Sequence, residues 1–350
     1  MTLAPTVIRD RVDAAVGLLR AGRHGDAAAL LRSVIDPTPS TLEARRLLAV
    51  ALRDLGDLAG AEQALGAAIA IDPGQPAFFT LQGDVLARMG RAAEAEAAYR
   101  RALALSPTLG PAAVGLAELL LAAERWDEAL AVTSAAVAAG DVDLNVWTAH
   151  GMALKAQRRL DEAIEAYRRG AEAAPRSAVA EHNLAAALGD AERFAESEAA
   201  TRRAFAKGLH APEAWLVHGR ALMGQAKLDA AEAAFREALR RRPADLEPLT
   251  ELAQLVWMRS GDLATAAAPI DEAERAAPGA PAPRLVRAKL LEYAGDAEGA
   301  YAEVAALLAD APADFVLQIR AAQLLAERDP GRALAHAQAA AQAAPQELLA

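Results

Sequence analysis

Cysteine is absent from this 350-residue chain, which rules out disulfides and thiolate metal sites. Aromatic residues make up only 4%. That leaves few rings on which bases could stack, and it argues against an RNA-binding helical array. Basic charge is also short. The formal net charge is −10, whereas a general nucleic-acid binder needs a basic face to replace phosphate counterions. No uninterrupted run of eighteen apolar residues occurs, so no membrane span is expected. The first twenty residues carry Arg9, Asp10, Arg11 and Asp13 and contain no signal-peptide core, which makes the cytoplasm the default location. The chain also lacks a Gly-rich phosphate loop, a Gly-x-Ser-x-Gly turn and a His-Glu-x-x-His pair.

What remains is 54% hydrophobic and dominated by alanine, with leucine, glutamate and arginine. That composition favours helices throughout. Prolines mark a period: Pro39, Pro73, Pro107, Pro175, Pro243, Pro278, Pro312 and Pro345 stand 34, 34, 68, 68, 35, 34 and 33 residues apart. Each gap of 68 is two steps of 34, with Asp141 and Leu209 in the missing places. The chain thus reads as one array, 1–350, of ten repeats: 8–41, 42–75, 76–109, 110–143, 144–177, 178–211, 212–245, 246–280, 281–313 and 314–347.

The repeats agree internally. Trp147, Gly151, Leu154, Ala163, Tyr167 and Pro175 correspond to Trp215, Gly219, Leu222, Ala231, Phe235 and Pro243. Phe79, Gly83, Leu86, Ala95, Tyr99 and Pro107 follow the same order. Apolar spacings of three and four predict two amphipathic helices per repeat. A glycine-bearing turn such as Leu55-Gly56-Asp57 joins them, and proline ends the second helix. No single repeat can bury its apolar face, so stacking must supply the core.

This pattern resembles the tetratricopeptide repeat and covers nearly the whole chain. The resemblance implies an all-α solenoid, a right-handed superhelix of stacked antiparallel helix pairs. It implies a protein- or peptide-binding scaffold, with no enzyme activity, no cofactor and no metal. It also implies a concave groove lined by positions 2, 5, 9, 12 and 13 of each repeat. Carried over, these positions give Asn145, Met152 and Lys155 in the fifth repeat, His182 in the sixth, and Leu216, Arg220 and Met223 in the seventh. Gln254 and Trp257 follow in the eighth, and Lys289 and Tyr293 in the ninth. Trp257 and Arg220 are the leading pair of contact residues. The asparagines that clamp chaperone C-termini in some relatives are missing, and only Asn183 sits at the sixth position.

Several repeats depart from the pattern. Ser197, Thr201 and Leu209 make the sixth a candidate soft joint. The eighth carries one extra residue near 257–261 and places Pro269 inside its second helix. His150 and His218 occupy equivalent places and read as packed, hydrogen-bonded core residues. His24-Gly25-Asp26 matches half of an iron triad but has no third ligand, so it reads as a solvated turn. Arg240-Arg241-Arg242 reads as charge at a helix C-terminus. The chain stops five residues after Pro345, as if a further helix were beginning. Two alternatives therefore stay open: the substrate-recruiting part of a larger oxygenase- or sulfotransferase-type enzyme, and homo-oligomerisation through uncapped terminal helices.

Overall fold

A computed structural model describes residues 4–35, 41–140 and 142–344. Pro39, Asp141, Pro345 and the five residues that follow lie outside the described residues. Among the described residues there are twenty helices and no strand. The first eleven are α1 (Pro5–Arg20), α2 (His24–Arg32), α3 (Leu42–Leu55), α4 (Leu58–Ile71), α5 (Pro76–Arg88), α6 (Ala92–Leu105), α7 (Gly110–Ala122), α8 (Trp126–Ala138), α9 (Leu144–Ala156), α10 (Leu160–Ala173) and α11 (Ala178–Asp190). Then come α12 (Phe194–Ala206), α13 (Pro212–Gly224), α14 (Leu228–Arg241), α15 (Leu246–Ser260), α16 (Leu263–Ala276), α17 (Pro281–Tyr293), α18 (Ala297–Asp310), α19 (Phe315–Leu325) and α20 (Pro330–Ala343). The chain divides into two compact blocks, Met1–Ala187 and Leu188–Ala350, and the division falls inside α11. In each block, helices pack as consecutive antiparallel pairs. First helices also touch the first helices of neighbouring repeats, as in α5 with α7, α7 with α9 and α15 with α17.

The turn within each pair is built one way at almost every repeat. The backbone enters the left-handed region at residues 22, 56, 90, 124, 158, 192, 226, 261 and 295. All these steps are 34 except 226 to 261, which is 35 because α15 is longer, at 15 residues. The next amide then closes back onto a leucine carbonyl five residues earlier: Asp57 to Leu52, Arg91 to Leu86, Arg125 to Leu120, Arg159 to Leu154 and Lys227 to Leu222, at 2.8–3.0 Å. This is a Schellman closure, and it satisfies carbonyls that the helix itself leaves unpaired. Glycine is the residue suited to the left-handed position. Four repeats place Glu124, Arg158, Glu192 and Ala226 there instead, with φ of 57°, 61°, 57° and 58°.

A side chain with a Cβ costs roughly 1–2 kcal/mol in that conformation, partly offset by the extra unfolded-state freedom of glycine. Ala226→Gly should therefore raise stability by roughly 0.5–1 kcal/mol. A urea titration checks this, and an unmoved or lower midpoint contradicts it.

The core alternates over two repeats. In the third, fifth and seventh repeats an aromatic ring of the second helix lies on a glycine of the first. A Cβ at Gly83, Gly151 or Gly219 would come within 2.6, 2.8 or 2.5 Å of the rings of Tyr99, Tyr167 and Phe235. In the fourth and sixth repeats the aromatic place holds a buried threonine, and the next repeat supplies a histidine. Thr133 Oγ1 is 3.1 Å from His150 Nδ1, and Thr201 Oγ1 is 2.7 Å from His218 Nδ1. Both histidines are thus packed and hydrogen-bonded, as expected. Burial holds each below the usual imidazole range, with the charge of Arg159 a further cause at His150. Ser197 and Thr201 of the sixth repeat are fully buried, and Thr201 Oγ1 is also 2.9 Å from the Glu198 carbonyl.

Arginines spaced by 34 add a polar seam along the second helices. Arg91 holds Glu94 ahead of it and Glu62 of the preceding repeat, 2.6 and 2.8 Å away. Arg125 repeats this with Glu128 and Glu96, at 2.7 and 2.8 Å. Lys227 reaches Glu198 at 2.7 Å. These arginine pairs lie in solvent, so each contributes little on its own. Pro269 lies inside α16, as expected, and is buried there. Asp262 starts that helix by accepting the Thr265 amide at 2.8 Å.

Candidate functional site

Two hollows lie on faces made by first helices, one in each block. The hollow in the N-terminal block has a volume of about 360 Å³ and is walled by α5, α7 and α9. Asp84, Glu118 and Met152 line it, and all three hold the ninth position of their repeats. Asn145 and Thr148 lie on the same wall, and Asp143 caps α9 beside them by accepting the amides of Asn145 and Val146. Tyr99 forms the back. Its hydroxyl donates to Asp84 Oδ1 at 2.7 Å, and Arg53 Nη1 stands 3.3 Å from Asp84 Oδ2. Burial, then the hydrogen bond to Asp84, push the Tyr99 phenol well above its ordinary range. Burial and the nearby charge of Asp84 push the Glu118 carboxyl up as well. A carboxyl raised by a like-charged neighbour is the kind of group that a bound cation relieves. The exposed thioether of Met152 supplies an adaptable apolar contact.

Asn145 and Met152, given as groove positions by the sequence, both line this hollow, whereas Asp84 and Glu118 were not singled out. The ninth-position rule, extended to the third and fourth repeats, finds both. Lys155 is exposed on the same helix, and His182 is half-buried in α11.

The hollow in the C-terminal block is apolar and has a volume of about 490 Å³. Leu246 and Thr250 of α15, Leu285 and Lys289 of α17, and Val316 and Ile319 of α19 line it. The ammonium of Lys289 lies 5.9 Å from the centre of the Tyr293 ring. Tyr293 is exposed.

Other expected groove residues are engaged elsewhere. Leu216 is only 8% exposed and packs with Leu222, Phe235, Leu252 and Leu255, so it is a core residue and does not face a groove. Its place at the fifth position was right, but its neighbours close over it. Met223 is half-buried against the same core. Trp257 packs on the cluster of Leu249, Ile270, Val286 and Leu290 in the lengthened eighth repeat. Arg220 is tied to Glu251 and Glu247 at 2.8 and 3.0 Å. The leading pair, Trp257 and Arg220, is therefore already committed within the fold. Gln254 is half-buried between them in sequence. Arg240 and Arg241 both pair with Glu237, and Arg242 pairs with Glu213 and Asp245, which neutralises the basic run. Arg23 holds Asp26 at 2.7 Å, and His24 Nδ1 stands 3.9 Å from Asp54. Among the described residues no group of three histidine or acidic side chains is arranged to hold a metal ion. No helix among them is long and apolar enough to cross a membrane.

Stacked antiparallel helix pairs with ring-on-glycine cores and open first-helix faces define a helical-repeat scaffold. The chain belongs to the tetratricopeptide repeat family: profiles of that repeat match residues 18–85, 86–153, 144–177, 182–245 and 216–281. Among solved structures, it is similar to a tetratricopeptide repeat protein from Parabacteroides merdae, at 15% identity and a TM-score of 0.52 over 71% of this chain and 98% of that one. It is similar also to PilF from Pseudomonas aeruginosa, at 17% identity and a TM-score of 0.53 over 61% of this chain and 97% of the other. At such identities the likeness is one of fold. No curated protein sequence matches the chain.

Proposed function

We propose that the chain is a binding scaffold for proteins or peptides, and that the first-helix faces are its contact surfaces. The acidic hollow supports this reading best. Asp84, Glu118 and Met152 stand at one repeated position on three successive first helices; Glu118 and Met152 are exposed there, while Asp84 is held by Tyr99 and Arg53. Side chains at a fixed spacing along a stack suit an extended ligand better than a small substrate. The raised carboxyl of Glu118 beside Asp84 favours a lysine or arginine of the bound segment. Catalysis is not part of the reading. The histidines that repeat in register, His150 and His218, turn their Nδ1 atoms to core hydroxyls.

An array of synthetic fifteen-residue peptides tests the proposal. The wild-type chain should favour peptides with a lysine or arginine. Glu118→Lys replaces an attraction with a repulsion and should weaken the best of them about tenfold, or about 1.4 kcal/mol. A chain that binds no peptide, or one whose preference survives the charge reversal, contradicts the assignment.

A further inference from the structure

The C-terminal block carries its own, chemically different surface. Leu246, Met258, Tyr293 and Val316 are large apolar residues that stay exposed, Val316 at 71%, and all lie on α15, α17 and α19. Of these, Leu246 and Val316 line one hollow, and exposed apolar side chains that share a surface mark a contact more often than scattered ones do. Leu246, Leu285, Val316 and Ile319 converge on the hollow of about 490 Å³, a volume in the range of ligand pockets. The charges around it are unequal in status. Arg320 of α19, which also lines the hollow, pairs with Glu292. Among the described residues Lys289 has no carboxylate partner, and its one charge contact is the Tyr293 ring. One uncompensated ammonium therefore stands within an aliphatic wall.

We propose that this hollow takes a peptide segment carrying aliphatic side chains next to an aspartate or glutamate. The aliphatic groups cover Leu246, Leu285 and Val316, and the carboxylate meets Lys289. The inference rests on the scaffold reading above and gives the C-terminal block its ligand class. Once aliphatic side chains of the segment cover the hollow and exclude water from it, the carboxylate–Lys289 pair attracts more strongly than it would in bulk solvent. A membrane surface fits less well. Lipid binding draws on several free cations around a protruding apolar face. Here the one arginine that lines the hollow, Arg320, is already paired with Glu292, which leaves Lys289 as its single free cation among the described residues.

The test uses the full chain and a phage library of random dodecapeptides, with anisotropy titration of labelled synthetic copies of the selected sequences. Selected peptides should hold two or more aliphatic residues and an acidic one. Lys289→Glu and Val316→Asp, both at solvent-accessible places, should each raise Kd at least tenfold while leaving the thermal melt by circular dichroism unmoved. Reselection on Lys289→Glu should exchange acidic for basic residues. Peptides without acidic residues, or peptides bound equally by both variants, overturn this hollow and leave the scaffold reading standing. Failure to enrich any peptide overturns both. Co-sedimentation with phosphatidylcholine–phosphatidylserine vesicles that either substitution abolishes overturns the proposal in favour of a lipid surface.

Discussion

Phe235→Ala is expected to destabilise the C-terminal block by about 3–5 kcal/mol, the usual cost of removing a fully buried ring. The side chain has no solvent exposure and packs among Leu216, Leu222, Leu252 and Leu255. It also lies on Gly219, so closely that a Cβ there would stand 2.5 Å from the ring. The backbone at Gly219 belongs to the interior of α13 and cannot sink into the space left behind. The cavity would stay open, which places the cost towards the upper end of that range. Leu252 and Leu255 belong to the next repeat, so the loss reaches an interface between repeats, and in stacked arrays such interface terms couple neighbours. Urea unfolding should show a lower midpoint, and hydrogen exchange should rise first in α13, α14 and α15. A fall of less than about 1 kcal/mol would mean that the ring is not the keystone its burial implies.

The proline period, the small residues under aromatic rings and the packed histidines were all legible in the sequence, because each recurs at a fixed place in two or more repeats. Repetition turns a weak signal at Gly151 into a strong one once Gly83 and Gly219 share it. The partner of each histidine was not legible. Thr133 and His150 meet across a repeat boundary, seventeen residues apart, and only stacking brings them together. The turn between the helices was read from glycines such as Gly56, whose left-handed φ is 82°. At Glu124 and Arg158 the same backbone persists without glycine, since the closure onto Leu120 and Leu154 and the packing on either side fix it. Groove positions were legible as places on a helix but not as exposures. Leu216 and Met152 hold comparable groove-facing places, yet Leu216 is covered by Leu252 and Leu255 while Met152 is 44% exposed. What covers a position depends on the neighbouring repeat, and a pattern within one repeat does not contain that information. The same limit hid the commitment of Arg220, whose partners Glu247 and Glu251 lie on the following first helix.

Gly115→Ala should destabilise the N-terminal block by about 1–3 kcal/mol, although alanine is the better helix former. The sign separates packing from propensity. Gly115 lies inside α7, where exchange to alanine alone would gain roughly 0.5–1 kcal/mol. Its Cβ, however, would stand 2.5 Å from Cζ and 2.7 Å from the hydroxyl oxygen of Tyr99. The ring has little room to retreat, because it also lies close over the backbone of Gly83, where an added Cβ would stand 2.6 Å from it. Tyr99 must therefore tilt, and its hydrogen bond to Asp84 must lengthen from 2.7 Å. Gly66 is the control. Nothing lies within 4 Å of its Cβ position, so Gly66→Ala should stabilise by up to about 1 kcal/mol. The clash is specific to the ring, so Gly115→Ala should cost less when Tyr99→Leu is already present, and a double-mutant cycle should give a coupling of about 1 kcal/mol or more. Additive effects, or a stabilised Gly115→Ala, would show that Tyr99 has room to move. A moved Tyr99 also reshapes the back wall of the acidic hollow and frees Asp84 from the phenol. The same substitution should therefore weaken any peptide held there, while binding in the C-terminal hollow is unchanged.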